Sequence, residues 1–77
     1  MTDESSVADA RTHARQSAER AAQAHRDAAA THDMAARVHE RAARLLPEQA
    51  KMHHDEAQRH REEATEDRRL AAEEPDR

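Results

Sequence analysis

Histidines recur every seven residues in two parts of the chain, and they are the side chains best suited to chemistry. His25, His32 and His39 share this interval, and His53 and His60 repeat it further along. Imidazole binds transition metals and changes its charge near neutral pH. On one helix, residues seven apart lie about 10.5 Å from each other, too far for two of them to bind the same ion. A metal site in this chain therefore needs ligands from two helices.

Carboxylates accompany the second group of histidines. Glu56 lies three residues after His53 and four before His60, and Glu63 lies three residues after His60. Residues three or four apart are neighbours on the surface of a helix. Two imidazoles and a carboxylate suit zinc, nickel, cobalt, copper or iron(II) better than calcium or magnesium. The sequence thus predicts a divalent transition metal as the cofactor, and no other.

The elements that must position these groups are long helices joined at a proline. The chain has no glycine, cysteine or aromatic residue, and nearly every residue from 7 to 45 is a good helix former. Pro47 disfavours helical geometry at the residue before it and suits the first turn of a new helix. The expected organisation is an arm over residues 1–5, a helical hairpin over 6–74 and a tail over 75–77. Within the hairpin, we expect helix 1 at about 7–45, a turn at 46–47 and helix 2 at about 47–73.

Alanine heptads predict how the two helices pack. In helix 1 each histidine lies three residues before an alanine of the heptad column, whereas in helix 2 that interval is four, a reversal that suits antiparallel helices. Folding the chain back at Leu46 places residues equidistant from it opposite one another. The facing pairs are then His39 and His53, His32 and His60, and His25 and Asp67. Layers of alanine alternate with these pairs. The alanine columns are Ala14, Ala21, Ala28, Ala35 and Ala42 in helix 1, and Ala50, Ala57, Ala64 and Ala71 in helix 2. The predicted fold is an all-α antiparallel helical hairpin with an alanine/histidine heptad seam.

The small core raises the question of association. The chain has seven large apolar side chains after Met1, each stabilising by roughly 2 kcal/mol when fully buried, too little to offset the entropy of ordering the chain. Apolar residues flank the helix 1 column on both sides, which indicates more than one neighbouring helix. We therefore expect a homodimer of hairpins forming a four-helix bundle, with residues 7–18 left as a docking surface for a helical protein partner. The alternative geometry is one long helix, kinked at Pro47 and paired with another chain. The flanking residues are Ala22, Ala29, Ala36 and Ala43 on one side and Ala24, Thr31, Val38 and Leu45 on the other.

Several function classes find little support in the composition. Thirteen Lys and Arg against 17 Asp and Glu give a net charge of -4, and the arginines near the end of helix 2 alternate with acids, so no nucleic-acid binding is expected. No apolar run approaches the roughly 18 residues of a membrane span, and no signal peptide is evident, so the expected location is cytoplasmic. A narrow seam without a nucleophile and its base predicts no enzyme.

The sequence therefore indicates a small binding or regulatory protein whose facing histidine layers bind a metal. The alternative is a purely structural interaction module, homo- or hetero-oligomeric, whose stability falls as the pH drops because buried neutral histidines resist protonation. His13 and His54 lie off the facing positions and are expected to be exposed. The predicted metal site comprises His32, His60, His39, His53, His25, Asp67, Glu56 and Glu63.

Overall fold

The computed structural model describes residues 4–73, which fold into a helical hairpin. Helix α1 spans Glu4–Leu45, a 3-10 turn spans Pro47–Gln49, and helix α2 spans Ala50–Glu73; there is no strand within this range. The hairpin is a rod of 69 × 13 × 13 Å. The predicted all-α antiparallel hairpin is confirmed, and the alternative of one kinked helix is wrong for this chain.

Pro47 reverses the chain by local geometry. Leu46 leaves the helical region, with φ -127° and ψ 75°, because the proline ring disfavours helical geometry in the residue before it. The Leu46 N–H still donates to the Ala42 carbonyl at 2.8 Å and closes α1, while the Leu46 carbonyl accepts from the Gln49 N–H at 2.9 Å. The turn therefore satisfies backbone groups that the two helix ends would otherwise leave unpaired.

The helix bounds differ slightly from those expected. Helix α1 is already formed at Glu4, so residues 4 and 5 belong to it rather than to an arm, and it begins three residues before the expected start. Helix α2 begins at Ala50 because the 3-10 turn occupies the preceding three residues. The rest of the predicted arm, residues 1–3, and the predicted tail, 75–77, lie outside the described residues.

The seam between the helices consists of alanine. Each buried side chain within residues 4–73 is an alanine, at most 5% exposed. The column predicted for helix 1 was wrong by one residue, because α2 covers the neighbouring column and leaves the predicted one half-buried or exposed. In both helices, a histidine is followed four residues later by a buried alanine. The interval from histidine to alanine is therefore the same in the two helices, and the expected difference between them does not occur. The buried alanines are Ala22, Ala29, Ala36 and Ala43 in α1 and Ala57, Ala64 and Ala71 in α2.

Different side chains line the two edges of this seam. Histidines from both helices meet along one edge. Along the other edge, Arg68 donates to the Asp33 carboxylate and Arg61 pairs with Glu40, so both ion pairs connect α1 to α2. The histidine edge is therefore where the chain places its candidate site, and the ion pairs fix the helices from the opposite side.

The large apolar side chains lie outside the seam. Met34 and Val38 are each 62% exposed, Leu45 is 67% exposed, and Val7 lies on the part of α1 that extends beyond α2. All of residues 4–17 are exposed in the hairpin. The packing of α1 on α2 therefore depends on close contact between small side chains rather than on a core of large ones.

Replacing a buried alanine should separate the helices. Ala36 is 1% exposed between the two histidine layers, whereas Ala30 is exposed on the same helix. We expect Ala36→Leu to destabilise the hairpin by about 1–3 kcal/mol through overpacking, and Ala30→Leu to change stability little. Thermal unfolding followed by circular dichroism in chelator-treated buffer measures both. Equal melting temperatures for the two variants would show that the alanine seam is not closely packed.

Candidate metal centre

Two pairs of histidines bridge the helices through the same ring atom. The Nδ1 atoms of His32 and His60 lie 3.0 Å apart, and those of His39 and His53 lie 3.1 Å apart. Both facing pairs predicted from the heptads are confirmed. At these distances one ring of each pair carries the Nδ1 proton and donates it, while the other ring accepts.

The two pairs form one continuous column of rings. Ring centroids are 5.3 Å apart within each pair, and the rings of His39 and His60 stack at 5.5 Å with an interplanar angle of 16°. At the turn end of the column, His53 Nε2 contacts Gln49 Oε1 at 3.2 Å. The stacked rings of His39 and His60 therefore connect the two histidine layers, although each layer lies about two helical turns from the next on its own helix.

Asp67 extends the column at its other end. Its Oδ1 lies 3.2 Å from His25 Nδ1, which confirms the third predicted facing pair, and its Oδ2 lies 3.8 Å from His32 Nε2. The Asp67 side chain is 19% exposed, and those of His25 and His32 are 31% and 27% exposed. The Asp67 carboxylate is thus near two imidazoles, and all three side chains are half-buried.

Within residues 4–73, two groups of three side chains could hold a metal ion. One comprises His32, His60 and Glu63 and the other His39, Glu56 and His60, with one ligand atom from each residue within 4.8 Å of the others. His60 belongs to both groups. We call these the Glu63 trio and the Glu56 trio. The predicted ligands His25, His53 and Asp67 belong to neither trio and instead contact its members or each other.

The ligand atoms of the Glu63 trio lie at distances close to those around a bound ion. A tetrahedral zinc with bonds of 2.0–2.1 Å places its ligand atoms about 3.3 Å apart. His32 Nδ1 lies 3.0 Å from His60 Nδ1 and 3.1 Å from Glu63 Oε2, so a small outward movement of these side chains would admit the ion. The ion would take the position of the proton that the two rings share.

The carboxylate of the Glu56 trio has a competing partner. Arg59 donates directly to Glu56, whereas its Nε lies 3.8 Å from Glu63 Oε1. The charge of Glu56 is therefore already partly neutralised by Arg59, which weakens its attraction for an ion, while Glu63 is directed at His32. His54, like His13, is exposed, as expected for histidines outside the facing positions.

Sequence reasoning missed the ion pairs on the opposite edge of the seam. Asp33 and Glu40 are seven residues apart on α1, and Arg61 and Arg68 are seven apart on α2, so the heptad pattern carried a signal for them. The hydrogen bond from Arg68 lowers the pKa of Asp33 below its ordinary value of 3.8, with further lowering from the charges of Arg68, Arg37 and Arg61. These charges stabilise the ionised form of the carboxylate in the folded hairpin.

Comparisons with protein-family models, curated proteins and solved structures gave no significant match. Between residues 4 and 73, neither helix has a sufficiently long apolar stretch to cross a membrane.

The ion pair between Asp33 and Arg68 should make stability depend on pH in the acid range. Because the folded pKa of Asp33 is lowered, its contribution is present above the unfolded value and is lost as the pH falls through the folded value. We expect Asp33→Asn to lower the melting temperature at pH 7 and to match the wild type near pH 2.

The matched control is Asp27→Asn, since Asp27 is exposed on α1 and accepts a hydrogen bond from Gln23 within the same helix. Melts of all three proteins at both pH values test the expectation. A pH-independent difference between the wild type and Asp33→Asn would show that the charge of Asp33 is not what stabilises the hairpin.

Proposed function

We propose that this protein is a small non-enzymatic binding protein that takes up a divalent transition metal between its helices at the Glu63 trio. The observation that carries the proposal is the convergence of three ligand atoms from two helices, with His32 Nδ1 at 3.0 Å from His60 Nδ1 and 3.1 Å from Glu63 Oε2. The trio is preformed by the alanine seam, so binding needs little rearrangement of the backbone.

The donor set indicates which ions fit. Two neutral imidazoles and one carboxylate are typical ligands of zinc, nickel, cobalt and copper. Affinities for such a set generally rise from cobalt through nickel to copper and fall again at zinc. Three ligands leave at least one coordination position for water or another ligand. The 27% and 42% exposure of the His32 and Glu63 side chains gives an ion access from solvent.

Asp67 supports the proposed site from behind His32. When His32 binds an ion through Nδ1, its Nε2 carries the proton and lies 3.8 Å from Asp67 Oδ2. A carboxylate in this position orients the imidazole and increases its basicity.

The shared histidine limits how many ions one chain binds. Because His60 belongs to both trios, occupation of the Glu63 trio removes a ligand from the Glu56 trio. We therefore expect one ion per chain. The Glu56 trio is a weaker site that binds the ion when a substitution removes a ligand specific to the Glu63 trio.

A purely structural interaction module is the second candidate function. In the described part of the chain, every buried side-chain nitrogen or oxygen atom has a hydrogen-bond partner. The Nδ1 atoms of each histidine pair already lie within hydrogen-bond distance of each other without an ion, so the pairs could serve to fix the register of two helices. The response of the chain to added metal separates the two functions.

Metal binding should stabilise the wild type and depend on His60. An ion at a hundred times its dissociation constant adds about 2.7 kcal/mol to the unfolding free energy, which corresponds to roughly 10–20 °C in melting temperature for a domain of this size. We expect His60→Ala to abolish the shift and His32→Ala to reduce it, since the latter leaves the Glu56 trio intact. Circular dichroism melts with zinc, nickel, cobalt or copper(II), and calorimetric titrations, measure these effects.

The control is His54→Ala, which removes an exposed histidine from the same helix and should retain the full shift. A wild type that gains no stability from any of the four metals, or a shift of equal size in His60→Ala, would assign the histidine layers to structure and favour the interaction module.

A further inference from the structure

The Glu63 trio supplies three ligands, whereas zinc in a closed protein site takes four. We propose that a second copy of this chain supplies the fourth ligand, so that the ion joins two hairpins along the edge where their histidines lie. The ligand is a histidine outside the second copy's own Glu63 trio, namely His25, His39 or His53. This inference rests on the proposed function and deepens it, because it makes metal binding and dimerisation a single event.

A surface suited to the second copy adjoins the histidines on α1. At about 100° per residue, two heptad columns lie on the histidine side of α1 and away from α2. Their residues are exposed or half-buried, and none is charged, although 39% of the chain is charged. We call this surface the uncharged strip. It consists of Ala14, Ala21, Ala28, Ala35 and Ala42 in one column and Ala10, Ser17, Ala24, Thr31, Val38 and Leu45 in the other.

The opposite side of α1 has a different character. Arg26, Asp33, Arg37, Glu40 and Arg44 lie there, beyond the buried alanines, and two of them form the ion pairs with α2. Between residues 22 and 43 of α1, charged side chains therefore lie on one side of the seam only. The ion pairs of Asp33 and Glu40 account for charge on that side, but no contact with α2 requires the strip, which lies away from α2, to be uncharged.

The histidines of α1 lie between the buried alanines and the uncharged strip. A helix packed on the strip would approach to about 8 Å because the strip residues beside the histidines are alanines. A dimer with two-fold symmetry uses the same surface on both copies, so each hairpin would present its histidines to the other. The second copy is thus the partner that brings an imidazole to the open position of the trio.

Charge explains why this assembly needs the ion. Glu56, Glu63 and Asp67 lie beside the histidines, and Arg59 is the cation that contacts the two glutamates. Placing two such surfaces together without a cation brings carboxylates of like charge near each other. A divalent ion at each trio offsets that repulsion. By linkage, the ion favours the dimer and the dimer raises the affinity for the ion to the same extent.

The test compares mass and metal content in the same samples. Light scattering after chelation should give the 8.7 kDa of one chain, and with excess zinc it should give twice that mass at one bound ion per chain. The triple variant His25→Ala, His39→Ala and His53→Ala retains the Glu63 trio but lacks a fourth ligand. It should bind one zinc more weakly and remain at 8.7 kDa.

Variants of the strip test the surface. Ala24→Glu and Thr31→Glu each place a charge in the strip, at positions exposed in the hairpin, and should bind zinc as monomers. Ala30→Glu makes a similar change at an exposed position on the other side of α1 and should dimerise with zinc as the wild type does. Circular dichroism of each chelated variant verifies that the helices form.

The outcomes separate this inference from the proposed function. A wild type that binds zinc but keeps the mass of one chain overturns the shared site and leaves the metal function standing. A wild type that binds no zinc overturns both. A dimer of equal strength with chelator and with zinc contradicts the linkage between metal binding and dimerisation. Strip variants that dimerise as Ala30→Glu does contradict the assignment of the uncharged strip as the dimer interface.

Discussion

The close approach of two helices over alanine methyl groups is the constraint on which the rest of the structure depends. Residues such as Ala36 and Ala64 are at most 1% exposed and leave no space in the seam for a larger side chain. Imidazoles must therefore lie along its edge, where the short distance between the backbones brings the Nδ1 atoms of facing rings to 3.0–3.1 Å. With leucine in the seam, the helices would stand further apart and the rings would no longer meet.

This arrangement also explains why one geometry serves both candidate functions. Two Nδ1 atoms at hydrogen-bond distance hold one proton between them, and the lone pairs that share this proton are those that a metal would use. His32 and His60 differ from His39 and His53 mainly in their surroundings, since Glu63 is directed at His32 while Arg59 holds Glu56. The carboxylates around the rings are therefore what distinguishes the proposed metal site from the other histidine pair.

The fold and the facing pairs could be predicted because few residues determine them. Pro47 fixes where the chain reverses, and heptad spacing then fixes which histidines face each other. The column that α2 covers could not be predicted, because helix 1 has two adjacent alanine columns with similar intervals to the histidines. The sharing of His60 depends on the stacking of its ring on His39, a matter of side-chain conformation that spacing alone does not fix.

The error in the predicted column bears on the proposed assembly. Ala28 and Ala35, expected in the seam, are half-buried beside the histidines, so the alanine pattern of α1 is wider than one neighbouring helix can cover. Helix α2 has no second alanine column, and on the histidine side it presents Glu56 and Glu63 instead. The ligands of the proposed site therefore lie along the boundary between a covered and an uncovered alanine surface. A protein ligand that completes the metal coordination from that side would have to approach over the uncovered alanines, which makes a partner with small, uncharged side chains of its own the best fit.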